Sequence, residues 1–215
     1  MLFRSDPDDP DTQTLLLTYP AAFDRHLAYV RPVVKIEFGA RSDTDPVETI
    51  QIQLYLAEAF PELFRESRIT VHAVSPRRTF WEKAMLLHEE TFRPAESPRK
   101  ARLARHYYDL YQLIRAGVGR DAAGDLDLFR RIAAHRQVYF RHTWVDHETL
   151  SPGRLILVPP DDQLAIWRAD YAAMGTEMFF GQPPAFEDLI ETVREFQHHF
   201  NAMNQIGRAS CRERV

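Results

Sequence analysis

Residues Arg78 to Glu90 read RTFWEKAMLLHEE, and this segment decides how the rest of the chain is interpreted. A Ser-Pro dipeptide typical of a helix start precedes it, and its apolar residues recur in helical period. On that helix Lys83 lies one turn from Phe80 and one turn from Leu87, so apolar groups flank its cation. Either the ammonium group meets an anion, a carboxylate or a phosphate, or its stem packs while its head reaches water. The spacing leaves both readings open.

Length and composition indicate a globular protein with one sizeable core or two small ones. The chain has 215 residues, of which 45% are hydrophobic and 12% aromatic. No segment approaches the roughly 20 consecutive apolar residues of a membrane span. The opening residues MLFRSDPDDPD are acidic, whereas a signal peptide begins basic and then turns apolar. We therefore expect a cytoplasmic location and no membrane partner.

The last ten residues, Ile206 to Val215, are set aside because their back-translation resembles a common sequencing-adapter strand. The single cysteine, Cys211, lies in this tail, so residues 1–205 exclude disulfides, thiol catalysis and cysteine-based zinc sites. Residues 1–205 carry 24 basic and 30 acidic side chains, a formal net charge of −6. Bulk charge therefore does not favour nucleic acid, and an RNA contact would need a local basic patch.

The segment VVKIEF is β-branched and alternating, which predicts a strand. Val34, Ile36 and Phe38 point to one face of this strand, and Lys35 and Glu37 point to the other. A strand with one charged face borders either a site or solvent.

The remaining segments predict a small α/β part followed by helices. Residues 47–60, VETIQIQLYLAEAF, place Ile50, Leu54 and Ala57 on one face of a helix, and residues 68–74, RITVHAV, alternate as a second strand. Residues 33–74 would then form a strand, helix, strand unit. Further helices are predicted at 75–92, 97–117 with a stop at Gly117, 125–141, 163–175 and 186–203, with a long connection over 143–162.

Two carboxylates are candidate functional groups. Asp109, four residues after Arg105, could be a general base, a metal ligand or a member of an ordinary ion pair worth about 0.3–0.5 kcal/mol. Glu37 is a candidate Mg²⁺ ligand, because carboxylates on strands hold this metal in many phosphoryl-transfer enzymes. One carboxylate is not a metal site, however, and strand edges facing water also carry Lys/Glu pairs.

A different chemistry is suggested by RQVYFRH, Arg136 to His142. This Arg-x5-His spacing resembles the short signature of HEPN ribonucleases, helical bundles that cut RNA without a metal. The other histidines lack the H-E-x-x-H spacing of a zinc site, and no Gly-rich phosphate loop is present.

Three segments in order, VKIEFGAR, RTFWEKAMLLHEE and RHYYDLYQL, resemble the AbiEii/AbiGii family of nucleotidyltransferase toxins. These are the enzymatic half of abortive-infection toxin–antitoxin pairs, and the likeness covers roughly Tyr19 to Ala116. It implies an α+β fold, with a partial nucleotidyltransferase-like mixed sheet followed by an α-helical C-terminal domain. The domains implied are a sheet remnant at 1–75, the helical domain at 76–205 and the adapter-like tail at 206–215.

The same resemblance implies transfer of a nucleotide from an NTP to an acceptor hydroxyl, with RNA as the candidate acceptor, Mg²⁺ as cofactor and a separate antitoxin as partner. Glu37 stands where the third carboxylate of that fold is looked for, as a metal ligand. Lys83 would contact the triphosphate, and Asp109 would act as base or organiser near the acceptor hydroxyl. The weaker candidates for phosphate contacts are Arg41, Arg78 and Arg105.

The chain departs from the family pattern at its start. The family's glycine and serine/threonine segment and its Asp-x-Asp pair are not found, and Asp8, Asp9 and Asp11 follow no strand or suitable turn. We therefore expect an upstream portion to be missing and this fragment to be inactive. Two rivals remain, a HEPN-like ribonuclease that uses Arg136 and His142, and a non-catalytic helical module that binds RNA or a partner protein.

Overall fold

The computed structural model describes residues 2–5, 13–20, 33–39, 43–175, 177–179 and 181–212, with backbone alone for 2–5 and 204–212. These residues form two small antiparallel sheets and a group of helices, which confirms the predicted α+β class. In the described part of the chain, no helix is long and apolar enough to cross a membrane.

The first sheet has the strand order β1-β2-β3, formed by Leu2–Ser5, Thr14–Thr18 and Val33–Glu37. The prediction of a strand at β3 is confirmed. In the antiparallel register Leu16 lies opposite Lys35. Because paired residues share a face, the charged side of β3 continues into a buried leucine of the central strand. Both sides of β3 are nevertheless exposed, since Val34 is 46% exposed and the side chain of Lys35 49%.

The second sheet corrects the prediction of a strand, helix, strand unit. Residues predicted as one helix form strand β4 (Val47–Gln53) followed by the short helix α1 (Tyr55–Ala59). β4 pairs along its whole length with β5 (Arg68–Val74), from Val47 opposite Val74 to Gln53 opposite Arg68. The predicted strand at β5 is therefore confirmed. Ile50 and Ile52 are β-branched residues at alternate positions, which suits a paired strand better than a helix.

The helices of the C-terminal region follow the predicted order with two differences. They are α2 (Pro76–Thr91), α3 (Arg105–Arg115), α4 (Val118–Ala123), α5 (Leu126–Tyr139), α6 (Asp161–Met174) and α7 (Phe186–Arg212). The first difference is α4, a separate short helix that the sequence pattern does not predict and that starts directly after Gly117. This glycine adopts φ +83°, a conformation that glycine tolerates best.

The second difference is the start of α3, which was predicted at the Ser-Pro dipeptide of residues 97–98 and lies at Arg105. The carboxylate of Asp170 on α6 accepts hydrogen bonds from the backbone N–H groups of Arg102 and Ala104, at 2.7 and 2.8 Å. A carboxylate at this position satisfies unpaired amides and complements the helix dipole. A residue distant in sequence therefore sets the start of the helix.

One apolar core holds the helices together, and Trp81 of α2 lies at its centre. Its ring contacts Phe129 of α5 and Phe200 of α7, with centroids 4.7 and 4.9 Å apart. Its indole N–H donates to the carbonyl of Ala122 in α4 at 3.1 Å. Trp81 is fully buried and joins four helices. Helix α2 is therefore fixed in position, and so are the residues on its outer face.

Candidate functional site

An open cleft of about 310 Å³ lies where α2, α3 and α5 meet. Its lining mixes charged, imidazole and apolar groups, namely Thr79, Glu82, Lys83, Leu86, His106, Ile132, His135, Arg136 and Phe140. Polar groups converging in a concave and partly apolar site are typical of small-ligand sites. The cleft is therefore the candidate functional site.

The sequence of α2 explains why Lys83 faces this cleft. Ser75 caps the helix by accepting a hydrogen bond from the backbone N–H of Arg78, and Pro76 occupies the first turn. Phe80 and Trp81 fill the core with no exposed surface. Lys83 lies on the side of the helix that borders α3 and α5.

Lys83 and Asp109 form an ion pair between α2 and α3. The Lys83 Nζ atom lies 2.6 Å from Asp109 Oδ2, and the two side chains are 24% and 36% exposed. The alternative in which the lysine meets an anion is thus the one observed, and the anion is a carboxylate. Arg105, which sequence spacing offered as the partner of Asp109, is exposed on the first turn of α3. Lys83 lines the cleft and is partly exposed, so a ligand entering the cleft can reach its ammonium group.

His106 is a site residue that sequence analysis missed. Its Nδ1 atom is buried, has no hydrogen-bond partner among the described residues and lies 3.9 Å from Asp109 Oδ2. The pKa of His106 is lowered to about 4, mainly by burial and also by the charges of Lys83 and Arg105, against the opposing effect of Asp109. The imidazole is therefore neutral at pH 7. Its position three residues before Asp109 on one helix face is a signal that could have identified it.

Arg136 and His142, the two residues of the HEPN-like alternative, each contact a different side chain. Arg136 forms a buried bidentate ion pair with Glu89 of α2, with two N–O distances of 2.6 Å. The ring of His142 stacks on Trp144 with centroids 4.5 Å apart. Breaking a buried pair by freeing one partner costs about 3–5 kcal/mol. This geometry favours a structural role for Arg136.

Glu37 lies apart from the cleft lining, on the exposed strand β3, where its carboxylate pairs with Lys35 at 2.8 Å. Among the described residues, no group of three or more His, Cys, Asp or Glu side chains could hold a metal ion. The carboxylates of Asp43 and Asp45 have Asp-x-Asp spacing, yet they pair with Arg78 and Arg131 at 3.0 and 2.7 Å. The described residues therefore do not fit a Mg²⁺ site.

Arg78, a predicted phosphate contact, is fully buried in a network beside the cleft. Its guanidinium donates to Glu82, Asp43 and the backbone carbonyl of Asp45, at 2.9, 3.0 and 2.6 Å. It therefore anchors the segment before β4 to α2, and a phosphate contact would require breaking this network. Arg41, another predicted contact, lies outside the described residues.

A comparison with known families specifies the class of protein that has this α+β fold and cleft. The family of nucleotidyl transferase AbiEii toxins, of type IV toxin–antitoxin systems, matches residues 2–192. The chain belongs to this family of nucleotidyltransferase toxins. The resemblance drawn from residues between Tyr19 and Ala116 is confirmed and extends in both directions. No curated protein and no solved structure matches the chain.

Proposed function

We propose that this protein acts as a nucleotidyltransferase toxin that moves a nucleotide from an NTP to an acceptor hydroxyl, with RNA as the candidate acceptor. The observation that carries this proposal is the ion pair between Asp109 and Lys83, a residue that lines an open cleft. A cation can contact the triphosphate and a carboxylate can accept the proton of the acceptor hydroxyl. Membership of the AbiEii family supports the reaction class.

Lys83 is the proposed triphosphate contact. Its ammonium group is held between apolar neighbours and is 24% exposed, so it can exchange a carboxylate for a phosphate by rotating its flexible side chain. A phosphate oxygen is negatively charged, as is the Asp109 carboxylate oxygen that the ammonium group of Lys83 contacts. Electrostatic stabilisation of the transferring group is the largest contribution that a protein makes to phosphoryl chemistry.

Asp109 is the proposed base or organiser at the acceptor hydroxyl. When Lys83 turns to the triphosphate, the carboxylate becomes free to accept the hydroxyl proton. The acceptor oxygen then bonds to the α-phosphorus, the bond from that phosphorus to the bridging oxygen breaks, and pyrophosphate leaves. The neutral His106 beside Asp109 does not compete as a second cation.

The cofactor, partner and remaining site residues are proposals at family level. Nucleotidyltransferases use a divalent metal that neutralises phosphate charge, and Glu37 is retained as the single carboxylate proposed for it. The described residues do not form a site for that metal. Arg41, Arg78 and Arg105 stay proposed phosphate contacts. We further propose a cognate antitoxin as partner, action in the cytoplasm, and inactivity of this chain.

The test is transfer of label from α-³²P-NTPs in the presence of Mg²⁺, with cellular RNA and with the protein as acceptors. It uses the chain as it stands and the chain extended by whatever residues its gene encodes upstream. Labelling by the extended chain, lost in Lys83→Ala and in Asp109→Ala, is expected. Arg194→Ala removes a cation from an exposed ion pair on α7 and serves as the matched control. Absence of labelled product with every NTP and acceptor, or full activity of Lys83→Ala, would refute the proposal.

A further inference from the structure

Helix α5 ends in exposed apolar side chains, although the rest of the helix packs into the core. Val138 is 69% exposed, Tyr139 49% and Phe140 36%, whereas Phe129 and Ile132 earlier in the same helix are buried. Aromatic rings in water at the end of a well-packed helix indicate a contact with something else.

These rings are continuous with the cleft. His135 and Phe140 line it together with Lys83. Tyr139 stacks on His135, with ring centroids 4.6 Å apart and planes inclined by 29°. The guanidinium of Arg136 covers Phe140 at 4.7 Å from the ring centroid, which holds that ring in place. The aromatic end of α5, defined as His135, Tyr139 and Phe140, thus forms a rim beside the Lys83 ammonium group.

The chemistry of the neighbours specifies the ligand. An ammonium group beside flat aromatic surface is complementary to a molecule that carries both a phosphate and a planar ring. A purely apolar peptide would cover the Lys83–Asp109 ion pair and offer neither charge a polar contact in place of water. Bases of any sequence stack on aromatic side chains, because every base has a π face.

We propose that the aromatic end of α5 binds a nucleobase by stacking while its phosphate lies toward Lys83. This proposal rests on the proposed function, because it places part of the substrate at the same cleft. The base belongs either to the NTP or to the acceptor RNA, and the two sources share this chemistry. Tyr139 is the principal contact, since it is the most exposed ring of the three.

Equilibrium binding to the full chain tests this, by titration calorimetry with three probes: ATP, inorganic tripolyphosphate and a five-nucleotide RNA. Tyr139→Leu removes the ring and keeps an apolar side chain, whereas Tyr139→Phe keeps the ring. Val138→Ala is the matched control, an exposed apolar neighbour without a ring. Both positions are exposed, so the thermal melting curves of all three variants should match that of the wild type and confirm that each variant is folded.

We expect Tyr139→Leu to weaken ATP or the RNA about tenfold, as loss of one stacked base implies. Tyr139→Phe and Val138→Ala should bind ATP and the RNA as tightly as the wild type does. None of the three substitutions should change the affinity for tripolyphosphate. An effect on ATP assigns the base to the NTP, and an effect on RNA alone assigns it to the acceptor.

The inference would be overturned if Tyr139→Leu bound both ATP and the RNA as tightly as the wild type does. It would also be overturned if the wild type bound neither ATP nor the RNA. Failure of the proposed function is recognised separately. If the proposed function is wrong, Lys83→Met should bind tripolyphosphate and ATP as tightly as the wild type does, whether or not Tyr139→Leu weakens the binding of RNA.

Discussion

The ammonium group of Lys83 on α2 lies 2.6 Å from the carboxylate of Asp109 on α3, and the imidazole Nδ1 of His106 lies 3.9 Å from the same carboxylate oxygen. The two members of the ion pair act on His106 with opposite sign. The charge of Lys83 lowers its pKa and the charge of Asp109 raises it. The histidine therefore reports on both groups.

Removing either charge should move the pKa of His106 in a defined direction. We expect Lys83→Met to raise it from about 4, though not to its usual value of 6.5, because burial is the largest cause of the shift. Asp109→Asn should lower it further. The measurement is a pH titration of the imidazole signals by NMR. Arg194→Ala, on α7, should leave the curve unchanged. The same direction of shift in both variants would contradict this geometry.

Arg136 and Glu89 should act as one buried structural unit. Arg136→Ala leaves the Glu89 carboxylate, 3% exposed, without its bidentate partner, and we expect a loss of about 3–5 kcal/mol in the free energy of unfolding. The double variant Arg136→Met, Glu89→Leu should recover most of that loss, because it buries no unpaired charge. Urea denaturation measures both. If Arg136→Lys instead abolished a metal-independent RNA cleavage while leaving stability unchanged, the HEPN-like function would be favoured.

Stability should rise with pH between about 4 and 6.5 because of His88. This residue is fully buried, and burial lowers its pKa to about 4. Its Nδ1 accepts a hydrogen bond from the backbone N–H of Ile156 at 3.0 Å, and its Nε2 lies 2.9 Å from the Thr149 hydroxyl. Below pH 6.5 His88 is protonated in the unfolded chain, whereas in the folded chain it stays neutral down to about pH 4. Stability therefore falls as pH falls.

His88 should contribute about 3 kcal/mol to that loss of stability between pH 6.5 and 4. Thermal melting across pH 4–8 measures it. His88→Gln, although less stable at pH 7, should show a flatter profile. His198, on the same chain but on α7, offers the control His198→Gln, which should keep the wild-type slope. A slope unaffected by His88→Gln would contradict the assignment.

Arg78 should hold the segment before β4 against the helices. Arg78→Met removes three hydrogen bonds from a fully buried guanidinium, and we expect a loss of about 2–4 kcal/mol in the free energy of unfolding. Arg131→Ala breaks the neighbouring pair with Asp45, whose side chains are 53% and 68% exposed, and should cost less than about 1 kcal/mol. Urea denaturation distinguishes them. Equal effects would show that burial of Arg78 is not what matters.

The elements that could be predicted from sequence are those with a strong local signal. Helix α2 has its Ser75 cap, Pro76 and an apolar period that agree with its packing, so it was found in place. Strand β4 was read as a helix because Ile50 and Leu54 also fit a helical spacing, and pairing with β5 decided otherwise. The start of α3 depends on Asp170, more than 60 residues away, which no local pattern reveals.

The candidate site likewise contains residues that the sequence predicts and residues that it does not. Lys83 and Asp109 lie in the segments that carry the family resemblance, so the sequence identifies both as candidate site residues. For Lys83 the sequence allows either an anionic partner or an ammonium group that reaches water. That this anion is Asp109 depends on how α2 packs on α3, and spacing had offered Arg105 as the nearer partner. His106 was overlooked because a lone helix histidine carries no pattern, and its significance comes from burial beside two charged groups.

The most direct test of the central claim, that Lys83 and Asp109 form a nucleotide site, is calorimetric titration of the chain with ATP. We predict that Lys83→Met weakens ATP binding at least about tenfold. Asp109→Asn should bind ATP as tightly as the wild type or a few-fold more tightly, because it removes the carboxylate that competes with phosphate for the ammonium group. Unchanged ATP affinity in Lys83→Met would contradict the claim, and so would an equal loss in both variants.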